Sequence, residues 1–507
     1  MFKRIKITDT YYDEWLPEED SFRLASKGVS CRWREIGKKK AFEIKQPQQE
    51  EKDYIKYVTI VKHCQEREFA TKVLPVVRNT LQLAALPTLS PVARIVNKRC
   101  VLSLITASGK KWARLHLDSF QIANGNGNIL EDECYEIEAV SNNDQTLSEL
   151  SEIFITSFKL IKIEKSKIER YAHALVQWQT RGSKVKLWLD ADTGVDDAMA
   201  LLLALRSQKR CTLVGISAVG GNVSLEKVLI NSAKIIHYSA VAPRPPLFKG
   251  FTPSGSKPDA SNVHGEDGIG NIDGFLSDFN RPVAEKLIYG FRKIIPQHRD
   301  KEITFVATGP LTNLARLTQE CPNEVRKLRH IVIMGGAFDE PGNREAQSEF
   351  NIYSDPESAQ VVLKFIRNNG IRHSFVPLDV THRVVLKRDE IEKLCKAGNR
   401  NAKFIRRLTK SYMQFYYKNQ AMDGCPLHDP MAVGFALWPE LFISDDFHVE
   451  IAPSHLGPFS GATSADFRPT RLFRDRSKQV TGIVLQVDQK RFLKRVKTLL
   501  FQAKHSS

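Results

Sequence analysis

Leu187-Trp188-Leu189-Asp190-Ala191-Asp192-Thr193-Gly194-Val195-Asp196-Asp197-Ala198-Met199-Ala200 is the stretch on which the reading of this chain turns. The apolar run 185–189 reads as a short buried strand, and the Ala/Leu-rich run 198–205 as the helix that follows it. Asp190, Asp192, Asp196 and Asp197 all fall in the junction between the two. Asp190 and Asp192 share a face while the chain is extended, and Asp196 and Asp197 stand where a helix N-terminus offers free amides and a positive dipole end. The four therefore converge on one crevice. Two like charges ~4 Å apart repel by roughly 4 kcal/mol at an effective dielectric of about 20, so the cluster calls for shared protons or a cation. An all-oxygen site of this kind suits calcium or magnesium. A helix cap alone accounts for one carboxylate, not four.

The chain around this stretch has 507 residues, which points to two or three domains. With 42% hydrophobic and 26% charged residues it has the balance of a globular protein with a large core. No apolar run reaches the roughly 18 residues of a membrane span, and Asp9 and Glu14 interrupt any signal-peptide pattern, so a cytoplasmic protein is expected. The eight cysteines are scattered without a Cys-x-x-Cys pair, so free thiols are expected and neither a zinc site nor a disulfide framework. The formal charge of +17 is compatible with polyphosphate or other anionic partners, but a solvated basic surface accounts for it more simply. Much of the excess lies between Arg468 and Lys497, where no aromatic-basic interleaving or nucleic-acid module is seen.

Residues 1–180 read as short β-prone runs broken by polar turns, with strands expected at 6–12, 29–35, 41–46, 95–106, 112–122 and 134–140. Helices are expected at 66–86, 146–160 and 166–178, and a turn at 124–128. Arg32 and Arg34, Glu43 and Lys45, and Glu136 and Glu138 are each two apart, so each pair lies on one face of its strand. Lining a closed barrel, such faces would suit an anion with a metal ion; the same spacing also fits a solvated outer face.

The blocks Thr10-Tyr11-Tyr12-Asp13, Cys31-Arg32-Trp33-Arg34-Glu35, Phe42-Glu43-Ile44-Lys45, Leu115-His116-Leu117-Asp118 and Tyr135-Glu136-Ile137-Glu138 resemble, in that order, the CYTH or triphosphate-tunnel family. The resemblance implies a mostly antiparallel β tunnel that binds triphosphates through inward Arg and Lys, with glutamates holding magnesium or manganese. The family opens with a Glu-x-Glu-x-Lys strand and a helix, whereas here Lys3, Arg4, Ile5 and Lys6 precede the Tyr-Tyr-Asp block. The expectation is an incomplete tunnel, open along an edge and catalytically degenerate, in which Arg32, Arg34, Lys45, Arg99, Glu136 and Glu138 remain as an anion site.

Past a short polar linker at 180–184, apolar strands alternate with longer helical stretches over 184–507. That alternation argues an α/β domain: a mainly parallel sheet with helices on both faces, with ligands beyond the strands' C-terminal ends. The positions after the strands carry Gly220-Gly221-Asn222, Val263-His264-Gly265-Glu266-Asp267-Gly268, Thr308-Gly309-Pro310, Met334-Gly335-Gly336, Gly342-Asn343, Glu349-Phe350-Asn351 and Pro426-Leu427-His428-Asp429-Pro430. The opening Asp-x-Asp is shared by two enzyme classes. One is the haloacid-dehalogenase phosphatases, which leave Glu349-Phe350-Asn351 and His428-Asp429 without a part. The other is the nucleoside hydrolases, whose Asp-x-Asp-x-x-x-Asp-Asp is matched without a gap and whose resemblance runs over essentially all of 184 to about 500.

That second resemblance implies hydrolysis of the N-glycosidic bond of ribonucleosides to free base and ribose. It implies a calcium ion held by Asp192, Asp197, the Thr308 carbonyl and Asp429, with Asp190 supporting the loop from behind. Asp192 would be the general base and His428 the acid on the leaving base. Asp196 and Asn351 match ribose-hydroxyl ligands, Asn343 and Glu349 contacts to the 5′-hydroxyl, and Asn222, His264 and Met334 flank metal and ribose. Tyr412, Phe415, Tyr416 and Tyr417 are candidates to stack on the base, and the resemblance does not choose among them. It also implies a homo-oligomer.

Overall fold

The computed structural model describes residues 184–254, 260–270, 284–467 and 480–501, with Ile272, Phe275 and Phe279, and the backbone of nine strands between Phe2 and Ala139. The helices expected at 66–86, 146–160 and 166–178, the turn at 124–128, most of the linker, and the basic residues at 468–478 lie outside these residues. Two compact units are present, one built mainly from Met1–Gly182 and one mainly from Ser183–Phe467 with the chain from Arg474 onward.

In the first unit the strands are β1 (Phe2–Asp13), β2 (Trp15–Leu16), β3 (Ser21–Phe22), β4 (Ser30–Ile36), β5 (Lys39–Glu51), β6 (Tyr54–Lys62), β7 (Ser90–Ile105), β8 (Lys111–Ala123) and β9 (Ile129–Ala139). Seven form one sheet in the order β6-β5-β4-β1-β7-β8-β9, and every neighbouring pair is antiparallel. Six coincide with the runs expected from sequence to within a residue or extend beyond them; β6 is an addition. Its Ile55, Tyr57, Thr59 and Val61 alternate as a strand should, but the charged run beside it reads as a loop. β5 instead continues through that run, past Pro47, where the register shifts.

The second unit is built on a nine-stranded sheet. Its strands are β10 (Val185–Ala191), β11 (Cys211–Ala218), β12 (Leu247–Lys249), β13 (Glu285–Lys286), β14 (Ile303–Ala307), β15 (His330–Met334), β16 (His373–Val376), β19 (Phe442–Phe447) and β22 (Thr481–Val487). Two hairpin-like pairs, β17 (Val385–Lys387) with β18 (Gly424–Pro426) and β20 (Val449–Ile451) with β21 (Thr463–Ala465), stand apart from it. The sheet order is β13-β12-β11-β10-β14-β15-β16-β22-β19, parallel throughout except for β19.

Both faces are covered, as the continuous apolar strands require. Along β10, Leu187, Leu189 and Ala191 join one core cluster, while Trp188 joins the other, where it stacks on Phe248 and meets Phe291 edge-on. The helix Val195–Arg206 is apolar on all sides and buried from Val195 to Leu205. It packs against the equally buried helix His428–Leu437 and the C-terminal helix Gln489–Phe501. The chain runs outward from β10 through β11 to β13, then returns to β14 on the other side of β10. The crevice beyond β10 and β14 is therefore the topological switch point where open α/β sheets bind ligands. Truncating the fully buried Leu201 to Ala should cost about 2–5 kcal/mol, read as a lower urea midpoint of the second unit's transition.

Candidate active site

Everything gathers at the tip of β10. Asp190 ends the strand's apolar side and is wholly buried. Its Oδ1 accepts from the Ser217 hydroxyl of β11, itself held by Trp188 Nε1 at 2.9 Å, and from Asn313 Nδ2 at 2.7 Å. Asn313 also donates to the Ala218 carbonyl at 3.1 Å and accepts from Phe251 N at 2.7 Å, so one amide ties the ends of three strands together. Asp190 thus supports the site from beneath. Burial pushes its carboxyl up to about 7, against the lowering effect of those hydrogen bonds.

Asp192 lies beyond the strand with Oδ2 accepting from Asn222 N at 2.8 Å, while its Oδ1 is buried without a hydrogen-bond partner. Asp197 accepts from Gly194 N at 3.0 Å, Asn222 Nδ2 at 3.2 Å and the Thr308 hydroxyl at 2.7 Å. The glycines here are steric requirements. A Cβ at Gly221 would overlap the Asp192 carboxylate, and one at Gly194 would lie 2.6 Å from both Asn222 Nδ2 and His264 Nδ1.

Oxygens of Asp196, Asp197 and Asp429 come within 4.8 Å of one another. Asp196, expected at the ribose, therefore stands among the groups able to hold a cation. Asp192 joins them through its neighbours: its carboxyl is held well above the usual range first by burial and then by the Asp197 charge, and Asp429 is raised by burial and by Asp196, Asp197 and Asp192. Burial also raises Asp197 and takes Asp196 to about 7. Four buried carboxylates with one orphaned oxygen are what a divalent, oxygen-preferring cation would satisfy, so the residues fit such an ion.

Above this floor opens a cleft. The residues expected to bind the ribose line it, namely Asp196, Asn222, His264, Met334, Asn343, Glu349 and Asn351, with Thr308, His428 and Asp429; Asp192 and Asp197 are not among its lining residues. Glu349 caps the short helix Phe350–Ser354, accepting from Asn351 N at 2.9 Å and Ile352 N at 3.1 Å; burial takes its carboxyl to about 7. Asn343 accepts from Phe350 N at 2.9 Å. Asn351 Nδ2 donates to the Thr308 carbonyl at 3.0 Å and the Met334 carbonyl at 3.2 Å, so it bridges the ends of β14 and β15.

His264 lies 3.9 Å from Asp196, a distance that suggests an ion pair. Its Nδ1, however, accepts from Val195 N at 3.0 Å, and burial pulls its pKa down to about 3. It is a neutral acceptor at the N-terminus of the helix Val195–Arg206.

The helix Lys410–Gln420 supplies the wall opposite the sheet. Tyr412, Phe415 and Tyr416 line the cleft, whereas Tyr417 is 60% exposed and points elsewhere. The Tyr412 hydroxyl donates to Asp196 at 3.1 Å, and the Tyr416 hydroxyl stands 2.9 Å from His428 Nε2. His428 Nδ1 is 2.7 Å from the Thr381 hydroxyl, and burial holds the imidazole well below its ordinary pKa. Thr381, Phe350 and Gln420 at the site are additions to the sequence reading. Thr381 lies in the short helix Leu378–Thr381 just beyond the C-terminal end of β16, where the same rule about strand ends would look; Gln420 is an exposed helix residue whose relevance only packing reveals.

In the first unit, register alone places the candidates. Arg32 pairs with Glu43, Ser30 with Lys45, Asp9 with Arg34, Ile5 with Arg99, and Arg99 with Asp118. Glu136 pairs with His116 and Glu138 with Arg114. Directly opposed residues share a face, as do residues two apart. By register Arg32, Arg34, Lys45, Arg99, Glu136 and Glu138 therefore belong to a single face of the sheet.

The model of the inosine-uridine preferring nucleoside hydrolase family matches residues 187–494, and that of the CYTH domain residues 2–172. An inosine-uridine preferring nucleoside hydrolase of Crithidia fasciculata is 30% identical over 295 residues, 56% of this chain and 89% of the relative. The pyrimidine-specific ribonucleoside hydrolase RihB of Escherichia coli is 31% identical over 287 residues, 56% of this chain and 88% of the relative. Among solved structures, a plant nucleoside hydrolase superposes with a TM-score of 0.57 at 27% identity, covering 63% of this chain and 100% of that one. A purine-preferring ribonucleoside hydrolase of Gardnerella vaginalis gives 0.53 at 29% identity, covering 62% and 98%. The chain belongs to the nucleoside hydrolase family and, by class, is a hydrolase of N-glycosyl bonds; a CYTH domain precedes that part. Among the described residues, no helix is long and apolar enough to cross a membrane.

Gly221→Ala should lower turnover on the order of a hundredfold, because displacing the Asp192 carboxylate by even an ångström misaligns the reacting groups. Steady-state rates with circular dichroism as the folding control check this.

Proposed function

We propose that the second unit is a calcium-dependent hydrolase that cleaves the N-glycosidic bond of ribonucleosides to ribose and free base. The observation that carries this reading is the gathering of buried carboxylates under the cleft: oxygens of Asp196, Asp197 and Asp429 lie within 4.8 Å of one another, and Asp192 stands beside them with an unpartnered Oδ1. Inosine, uridine and other purine or pyrimidine ribonucleosides are the substrates to test, since the relatives named above carry those preferences.

Asp192, Asp197, Asp429 and the Thr308 carbonyl are the proposed calcium ligands; bound there, the ion would make a water more acidic and anchor a ribose diol. Asp192 then accepts the proton of the attacking water through the buried Oδ1 that no protein group occupies. Asp196 and Asn351 bind the ribose hydroxyls, and Asn343 and Glu349 the 5′ end. As the bond stretches, positive charge grows on the sugar, and this anionic floor stabilises it. Asn222, His264 and Met334 hold the carboxylates and the sugar in place. Tyr412, Phe415 and Tyr416 enclose the base, and His428 delivers its proton to the departing nitrogen anion.

The first unit we read as a degenerate anion-binding module for polyphosphate or triphosphate, supported by the single face that gathers four cations with Glu136 and Glu138. The rival reading is triphosphate hydrolysis with magnesium or manganese at that same face. A homo-oligomer in the cytoplasm is carried over from the family resemblance, and sedimentation of the purified protein tests its size.

Asp192→Asn should reduce ribose release by on the order of 10²–10⁴, with the thermal melt retained; a variant holding most of its turnover would remove Asp192 from this role. Calcium at about 100 times its Kd should stabilise the second unit by ~2.7 kcal/mol, and identical melts with calcium and chelator would overturn the metal assignment. In chelator the buried aspartates contribute to the pH dependence with a definite sign. Asp190 and Asp196 titrate near 7 when folded but near 3.8 as free carboxyls, so between those values the folded state holds protons that the unfolded state has released. Their contribution should therefore be lost as pH rises from 4 towards about 7, while buried His264, held down to about 3, contributes with the opposite sign; the aspartate share is read as the difference between wild-type and Asp196→Asn melts across that range in chelator. For the first unit, inorganic triphosphate with magnesium or manganese should yield no phosphate; release that is lost on Glu136→Gln would establish the rival reading instead.

A further inference from the structure

Asp379 is not among the residues that line the cleft, yet its carboxylate is committed to the loop that leads into it. It lies in the first turn of the short helix Leu378–Thr381, where an acidic side chain ordinarily serves its own helix; that helix receives no side-chain cap. Instead Asp379 Oδ2 accepts from Phe338 N at 3.0 Å and Oδ1 from Asp339 N at 2.6 Å, one oxygen for each of two successive amides. Alongside, Leu378 N donates to the Gly336 carbonyl at 2.9 Å, so the turn after β16 grips the turn after β15 at two points. The Phe338 ring meets Phe375 edge-on with centroids 5.9 Å apart, and the Thr463 hydroxyl bonds both the N–H and the carbonyl of Ala337. Residues 336–339 are thereby fixed one after another.

What hangs from this root is one end of the cleft. Gly336 N donates to Glu349 Oε2 at 3.3 Å, which joins the root directly to that carboxylate. Between them residues 342–348 fold on themselves, with Gly342 N donating to the Ala346 carbonyl at 3.0 Å and Arg344 N to the Ser348 carbonyl at 3.1 Å. A Cβ at Gly342 would lie 2.2 Å from the Glu345 carbonyl oxygen, so this turn is closed tightly. It carries Asn343, which reaches back to Phe350 N beside Glu349. The loop therefore moves as one piece, and its angle is set at the root.

We propose that Asp379 is the positioning residue for the 5′ end of the substrate: its carboxylate sets the path of residues 336–339, and through them the places of Glu349 and Asn343. This rests on the reading of those two as the contacts to the 5′-hydroxyl. A carboxylate suits the task because both of its oxygens accept, and here two neighbouring amides must be met at once. An asparagine would turn a nitrogen donor towards one of them, and the root would have to shift to relieve it. Asp192, Asp197 and Asp429 depend on other elements, the tip of β10 and the helices Val195–Arg206 and His428–Leu437. A shift of the root leaves those elements in place. The signature of Asp379 is therefore selective: its loss falls on the recognition of the 5′-hydroxyl and spares the rest of the reaction.

The test compares inosine and uridine with their 5′-deoxy counterparts in the full-length protein with calcium. Because a hydrogen bond to a charged group is lost with the 5′-hydroxyl, the wild type should favour the complete nucleosides in kcat/KM by roughly ten- to a hundredfold. Asp379→Asn should lower kcat/KM on inosine and uridine until that preference is within about threefold, while the 5′-deoxy substrates stay within about twofold of wild type. Asp379→Ser keeps one acceptor and brings no opposing N–H, so its preference should lie between the two. It also serves as the test if circular dichroism shows the asparagine variant unfolded. An equal fall on both kinds of substrate would show a merely structural aspartate, and an unchanged preference would show no role; either overturns the proposal. The wild type alone decides the assignment beneath it. If it handles complete and 5′-deoxy nucleosides alike, Asn343 and Glu349 are not the 5′ contacts, and the role of Asp379 falls with them.

Discussion

Mutual repulsion among buried carboxylates is the constraint around which this domain is arranged. Asp192, Asp196, Asp197 and Asp429 reach one place from three elements, the tip of β10, the first turn of the helix Val195–Arg206 and the first turn of the helix His428–Leu437. Bringing them together opposes folding, and the surroundings answer it in two ways. Backbone and side-chain donors from Gly194, Asn222 and Thr308 take up some of the oxygens. The remainder face a space that suits a cation. The apolar bulk around them fixes the geometry, since both helices that carry the carboxylates are buried along their whole lengths and cannot shift to relieve the charge.

The same arrangement explains why so much of the site could be read from the sequence. An Asp in the middle of an apolar strand-to-helix junction has no ordinary structural reason, and four of them have a chemical one. The strands announce themselves by continuous apolar runs, and the rule that ligands bind beyond their C-terminal ends then singles out Asn222, Thr308, Met334 and Asn351. Each of these turns out to line the cleft. Local signals also sufficed for helices such as Leu225–Ser239 and Pro356–Asn368, whose ends coincide with changes in polarity.

Long-range contacts were legible only in part. Four aromatic residues within six positions of the helix Lys410–Gln420 look alike in sequence, and packing alone turns Tyr412, Phe415 and Tyr416 inward and Tyr417 out. The position of Asp196 depends on how the helix His428–Leu437 docks against its own, a contact between residues more than 200 apart. The protonation of His264 shows the same limit. A histidine near aspartates suggests an ion pair, yet one backbone amide, that of Val195, makes it an acceptor. In the first unit, β6 was hidden by charged residues that a bulged strand carries at its end.

The two tyrosines of the helix Lys410–Gln420 have a geometric consequence. Tyr412 holds a carboxylate at one end of the cleft and Tyr416 an imidazole at the other, and they are four residues apart on one rigid element. The axial spacing between these two anchor points is therefore a helical rise of about 6 Å. The helix acts as a gauge block: it fixes the separation along its axis between the residue that holds the Asp196 carboxylate and the residue that holds the His428 imidazole. A slide of this one helix would displace both contacts by the same amount.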